Sequence, residues 1–129
     1  MKVLKFGGSS VSSSENIQKV LAIVAKESKN QKIAVVVSAF GKTTDKLLAA
    51  ANIALDDIKA AKEILGTIKQ LHYQIIDALI SEDKITVSEE IIYLFDRLEA
   101  IYDGIFLLQE LSNKTLAKVS SFGERLSSF

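Results

Sequence analysis

Lys5-Phe6-Gly7-Gly8-Ser9-Ser10-Val11 is the stretch on which the fold of this chain turns. An apolar run, Val3-Leu4 with Phe6, stops at two adjacent glycines, and two hydroxyl residues follow. Residues 2 to 6 read as a buried strand that ends in a tight turn and gives way to a helix. Such a turn suits a phosphate: glycine lets the backbone approach a ligand closely, and the free N–H groups at a helix start point at an anion. Lys5 puts a cation on the end of the same strand.

Outward from this turn, Ser12 and Glu15 have the spacing of a capping box. Ile17, Val20, Leu21 and Val24 then recur at helical spacing, so one face of the helix is apolar. Asn30-Gln31-Lys32 breaks the pattern, and Ile33-Ala34-Val35-Val36-Val37 is a continuous apolar run without alternation. That run predicts a parallel strand covered on both faces. Strand, helix and strand make a βαβ unit with a right-handed crossover, which brings the loops after both strands to one sheet edge, where ligands of open α/β sheets bind.

From Asp45 the chain turns helical. Leu47, Leu48, Ala51 and Leu55 mark one helix; Ile58, Ala61, Leu65, Ile68, His72, Ile75 and Leu79 step by three and four along a second. After Ser81-Glu82-Asp83-Lys84, Thr86 and Glu89 suggest another capping box. Val87, Ile91, Leu94, Leu98, Ile101, Ile105 and Leu108 mark a third helix. Two long helices with a short polar connection are expected to pack as an antiparallel hairpin, with Gly104 marking close packing. Ser112-Asn113 starts a short helix with Leu116 and Val119 inward; Phe122-Gly123 is expected to end it, and Glu124-Arg125-Leu126-Ser127 to open a further element. Two strands cannot cover this many apolar helix faces, so the 129 residues are expected to be the front part of a larger domain.

Composition narrows the function classes. Apolar residues make up 48% and charged residues 25%, the balance of an ordinary globular protein. Net charge is zero, so no broad basic face for nucleic acid or an anionic membrane is implied, and any phosphate site must be local. No cysteine is present for disulfides or thiolate metal sites. No apolar run approaches membrane-spanning length, and a cytoplasmic location is the expectation.

Three stretches can carry chemistry. The glycine turn with Lys5 is the first; an unpaired lysine on an apolar strand must reach solvent or meet an anion. Ser38-Ala39-Phe40-Gly41-Lys42-Thr43-Thr44-Asp45 is the second, a polar loop on the same sheet edge. Its Gly41-Lys42-Thr43 is no P-loop, because Val36 stands where that motif needs glycine. Thr43 or Thr44 is expected to cap the next helix. The third is Phe122-Gly123-Glu124-Arg125-Leu126-Ser127, in which Glu124 alone is a favourable helix-start residue. His72 lies on an apolar stripe and reads as a packed helix residue. Taken together, the first two stretches point to a nucleotide-dependent kinase.

The motifs KFGGSSV at 5 to 11, VVVSAFGKTTD at 35 to 45 and SFGERLSS at 121 to 128 resemble those of the aspartokinases, members of the amino acid kinase family. The resemblance spans the chain and is greatest to the kinase portion of bifunctional aspartokinase/homoserine dehydrogenases. It implies a partial three-layer αβα fold of the α/β class, rich in helix, and ATP-dependent phosphorylation of the side-chain carboxylate of L-aspartate, the first step toward lysine, threonine and methionine. It further implies that Lys5 holds the transferring phosphoryl oxygens and that Gly7, Gly8 and Ser9 cradle phosphate. Ser38 and Thr44 would contact aspartate, Glu124 would hold its α-ammonium group, and Mg2+ would bridge the phosphates of ATP. The family's later arginine and aspartate, adenine pocket and regulatory domains are missing from these residues, so the fragment alone is expected to be inactive. A homo-oligomer is the expected assembly. The alternatives are a kinase acting on glutamate, acetylglutamate or a nucleotide, and a non-catalytic helical fragment that self-associates through its exposed apolar faces.

Overall fold

The computed structural model describes residues 1–129. In chain order it comprises β1 (Lys2–Phe6), a 3-10 turn (Gly8–Val11), α1 (Ser14–Ser28), β2 (Ile33–Val37), α2 (Thr43–Ile53), α3 (Ile58–Leu79), α4 (Lys84–Leu108) and α5 (Asn113–Ser128). β1 and β2 pair in parallel, with Lys2 opposite Ile33 and Phe6 opposite Val37. The result is a helix-rich α/β chain with a small parallel sheet.

The apolar periodicities become two cores. The larger lies among α2, α3, α4 and α5, where Leu47, Ile68, Phe95, Leu98, Tyr102, Val119 and Phe122 are almost wholly buried. Each large apolar side chain removed from water contributes roughly 1.5–3 kcal/mol. Tyr102 enters this core because its hydroxyl donates to the Leu47 carbonyl at 2.9 Å, which ties α4 to the start of α2. The smaller core is built on Val11, Val20, Phe40 and Ile75, with Phe6, Ile17 and Val24 against it. It fastens the sheet and α1 onto α3. His72 sits at the border of the two cores, stacked on Phe40 at 4.9 Å and edge-on to Phe95 at 5.5 Å.

Helix ends differ from the sequence expectation. The 3-10 turn delays α1, so its cap is Ser13, which accepts from the Asn16 N–H; Ser12 instead donates to the Ser9 carbonyl. α4 starts at Lys84, ahead of Thr86, after Asp83 in the left-handed region. Thr43 and Thr44 lie inside the first turn of α2, with Lys42 at the cap position. Ser112 does cap α5, accepting from the Thr115 N–H. α5 then runs unbroken through Phe122-Gly123 to Ser128, because Gly123 is buried against another element and packing outweighs its weak helix propensity. Gly104 marks no close packing: a Cβ there would meet nothing within 4 Å. The sheet valines are not covered on both faces, since Val3, Val35 and Val36 remain exposed beside only one partner strand each. Leu21 of α1 is likewise exposed.

Candidate functional site

β1 and β2 end level with each other, so the loops that follow leave the sheet side by side. The Ser38 N–H extends the pairing by donating to the Phe6 carbonyl at 3.1 Å. The two loops then touch: the Gly41 N–H donates to the Gly8 carbonyl at 3.2 Å. A Cβ on Gly8 would stand 3.0 Å from the Gly41 carbonyl oxygen and 3.4 Å from that of Ala39. Gly8 is thus fixed by backbone against backbone. Gly41 has φ of 52°, in the left-handed region where a side chain is strained.

Gly7 differs from both. Its backbone is extended, at φ −78° and ψ 176°, and a Cβ there would meet nothing within 4 Å. Neither conformation nor packing inside the chain demands glycine at this position. The space over its backbone is open. Ser9, next but one, is held by its carbonyl, which accepts from Ser12 Oγ at 2.8 Å and from Asn16 Nδ2 at 3.1 Å. The turn is therefore anchored from behind by α1.

α5 brings the third stretch to the second loop. A Cβ on Gly123 would lie 2.5 Å from Thr44 Oγ1 and 2.9 Å from Ala39 Cβ, so the helix approaches that loop as closely as a bare backbone allows. One turn on, Ser127 Oγ donates to the Ser38 carbonyl at 2.6 Å. The loop after β2 is the hub, touched by the glycine turn on one side and by α5 on the other.

Of the residues singled out in the sequence, Gly8, Ser38 and Thr44 are brought together by these contacts, and Glu124 follows directly on the glycine that meets Thr44. Lys5 pairs with Val36 in the sheet and shares its face; like Glu124 it is exposed, and neither takes part in an ion pair. Thr44 Oγ1 is buried without a hydrogen-bond partner. Such an atom is costly to leave unpaired.

Phe40, in the same loop, rests on His72. The His72 Nδ1–H donates to the Ile68 carbonyl at 2.7 Å, which leaves Nε2 as a buried acceptor with no partner. Burial pushes the imidazole below its ordinary pKa, and the Ile68 carbonyl opposes that only in part. An apolar cavity of about 460 Å³ lies beside it between α1, β2, α3, α4 and the end of α5, with no cation to hold a phosphate. No group of three or more His, Cys, Asp or Glu side chains is arranged for a metal ion.

Sequence reasoning missed Gly123 and Ser127 as contact points. They stand four residues apart, but only a helix continuous through Gly123 puts them on one face, and the break expected at Phe122-Gly123 concealed it.

The profile of the amino acid kinase family matches residues 1–129. The chain is 36% identical over 128 residues to aspartokinase 1, chloroplastic, of Arabidopsis thaliana, a match covering 97% of this chain and 21% of that protein. It is 32% identical over 136 residues to the bifunctional aspartokinase/homoserine dehydrogenase of Buchnera aphidicola, covering 100% of this chain and 16% of that one. Among solved structures, Escherichia coli aspartokinase III in complex with lysine and aspartate, in its T-state, matches with a TM-score of 0.84 at 25% identity, over 99% of this chain and 27% of that chain. The R-state of the same enzyme, in complex with aspartate and ADP, matches with a TM-score of 0.83. The chain thus spans only about a fifth of the length of the curated relatives.

Proposed function

The chain belongs to the amino acid kinase family, and we propose that it forms the front part of an aspartate kinase catalytic domain, residues 1–129, transferring the γ-phosphoryl group of ATP to the side-chain carboxylate of L-aspartate. The observation that carries this reading is the meeting of three separated stretches at the loop after β2, through Gly8 with Gly41, Gly123 with Thr44, and Ser127 with Ser38. The aspartokinase relatives and the aspartate- and ADP-bound structural neighbour support the choice of substrates.

In this reading the open space over Gly7 admits a phosphate to the backbone N–H groups of Gly7, Gly8 and Ser9. Lys5, exposed on the same strand end, neutralises charge as it builds on the transferring oxygens. Ser38 and Thr44 hold the aspartate carboxylate, and Glu124 takes its α-ammonium group. The carboxylate oxygen attacks the γ-phosphorus, the bond to the β,γ-bridging oxygen breaks, and ADP leaves with that oxygen. Such a reaction needs positioning and charge neutralisation more than covalent help from the protein. Residues 1–129 hold no cluster of acidic side chains fitted to Mg2+.

The fragment alone is read as inactive, because two short loops and one helix do not enclose both substrates. α3 and α4 are read as an antiparallel hairpin, supported by Lys62 of α3 meeting Glu99 and Asp103 of α4 far from their short connection. A cytoplasmic setting and a homo-oligomer belong to this reading, although the Arabidopsis relative is named as chloroplastic. The deciding experiment is formation of an acyl phosphate, trapped with hydroxylamine, by the full-length enzyme given ATP and either L-aspartate or L-glutamate. Aspartyl hydroxamate with aspartate alone is the expected product; the glutamyl product instead would overturn the assignment.

A further inference from the structure

We propose that Ser127 is a positioning residue for the aspartate pocket: its hydroxyl pins α5 to the end of β2 and fixes where Glu124 stands relative to Ser38 and Thr44. The inference rests on the aspartate kinase reading above, and nothing in the sequence motif assigns Ser127 a role.

Five serines lie on α5 or cap it, and most bond locally. Ser120, Ser121 and Ser128 each donate to the carbonyl three residues back, within the helix. Ser127 has the same option in the Glu124 carbonyl at 3.1 Å, but its hydroxyl stands closer, at 2.6 Å, to the carbonyl of Ser38, 89 residues away in sequence. One hydroxyl hydrogen serves one strong bond, and the shorter contact takes it. The Ser38 backbone is then held at both ends, its N–H by Phe6 of β1 and its carbonyl by α5. That is the residue whose side chain the pocket needs fixed.

The second hold lies one turn earlier. Gly123 and Ser127 share a helix face, and Gly123 rests bare against Thr44 and Ala39. Glu124 is about 60° around the helix from Ser127 and about 100° from Gly123, at the border of the clamped face. Two contact points a turn apart fix both the height and the rotation of α5, and therefore the direction of Glu124. Loss of either point frees the helix to rock on the other.

The test is Ser127→Ala in the full-length enzyme, with hydrogen exchange measured on that same full-length variant. The aspartate KM is expected to rise about five- to tenfold, the loss of one hydrogen bond's net contribution, with the ATP KM within about twofold of wild type. Amides of residues 38–44 and 120–128 should exchange faster, while those of α3 should not. An unmoved aspartate KM, equal rises in both KM values, or unchanged exchange at residues 38–44 each overturn the clamp. A wild-type enzyme that makes no acyl phosphate from aspartate sinks the function and the pocket together; a normal wild type with an unaffected Ser127→Ala sinks the clamp alone.

Discussion

Alanine at Gly123 separates a helix glycine that the fold merely tolerates from one that the site requires. Alanine in a helix interior is favoured over glycine by about 1 kcal/mol. At Gly66 of α3 nothing lies within 4 Å of the added Cβ, so Gly66→Ala should be stabilising by about 0.5–1 kcal/mol. Gly123→Ala has the same intrinsic gain but places its Cβ 2.5 Å from Thr44 Oγ1 and 2.9 Å from Ala39 Cβ. Ordinary contact starts at 3.4 Å, so α5 or the loop must give way by most of an ångström at a buried junction. Overpacking of this kind costs about 1–3 kcal/mol, which leaves a net loss of up to about 2 kcal/mol and a gap of about 1–3 kcal/mol between the two variants. Urea unfolding of the 129-residue chain measures both, and a thermal melt should separate them by about 3–5 °C for each kcal/mol. If Gly123→Ala is as stabilising as Gly66→Ala, the close approach of α5 to the loop after β2 is wrong.

Gly7→Ala should leave urea stability unchanged or slightly raised, because the site is open, yet raise the ATP KM of the full-length enzyme by about tenfold or more; an unchanged ATP KM would remove the phosphate from that turn. Lys5→Ala should lower kcat by about a hundredfold or more with the fold intact, the scale of losing one group that stabilises transition-state charge, and near-normal turnover would end the role given to Lys5. Glu124→Ala should raise the aspartate KM with little change for ATP, whereas equal losses would count against its contact with the ammonium group. Burial keeps native His72 neutral below its ordinary pKa, so the unfolded chain binds the proton first as pH falls. The contribution is therefore fully present above the ordinary imidazole value and is lost as pH falls below about 6.5 toward the depressed native value, with a slope of at most about 1.4 kcal/mol per pH unit; His72→Leu should abolish that decline, and an identical decline in both proteins would contradict the burial.

The elements themselves were legible because periodicity records burial. Both strands and the bodies of all five helices follow from where Val, Ile and Leu recur, and the parallel pairing follows from an unalternating run beside a βαβ spacing. Helix starts were less legible, since Ser12, Thr44 and Thr86 look like caps in one dimension, whereas the path of the preceding turn decides which residue faces the free N–H groups. The continuity of α5 through Gly123 was hidden for a related reason. Glycine weakens a helix in isolation, and only the loop pressed against it explains why the helix goes on. The site's parts could be named from three motifs, but their meeting could not: Ser127 and Ser38 are 89 residues apart, and no local pattern encodes the bond between them. Coverage of the sheet was overestimated because a run of valines is consistent with two buried faces, while the exposure of Val35 and Val36 depends on what packs there.

The most direct test of the shared pocket is a crystal structure of the full-length enzyme with L-aspartate and ADP bound. The terminal phosphate of ADP should lie against the backbone of Gly7–Ser9 with the Lys5 ammonium group in reach, and the aspartate should sit between Ser38, Thr44 and Glu124. Aspartate bound away from the loop after β2, or a nucleotide whose phosphates avoid the glycine turn, would contradict the account at its centre.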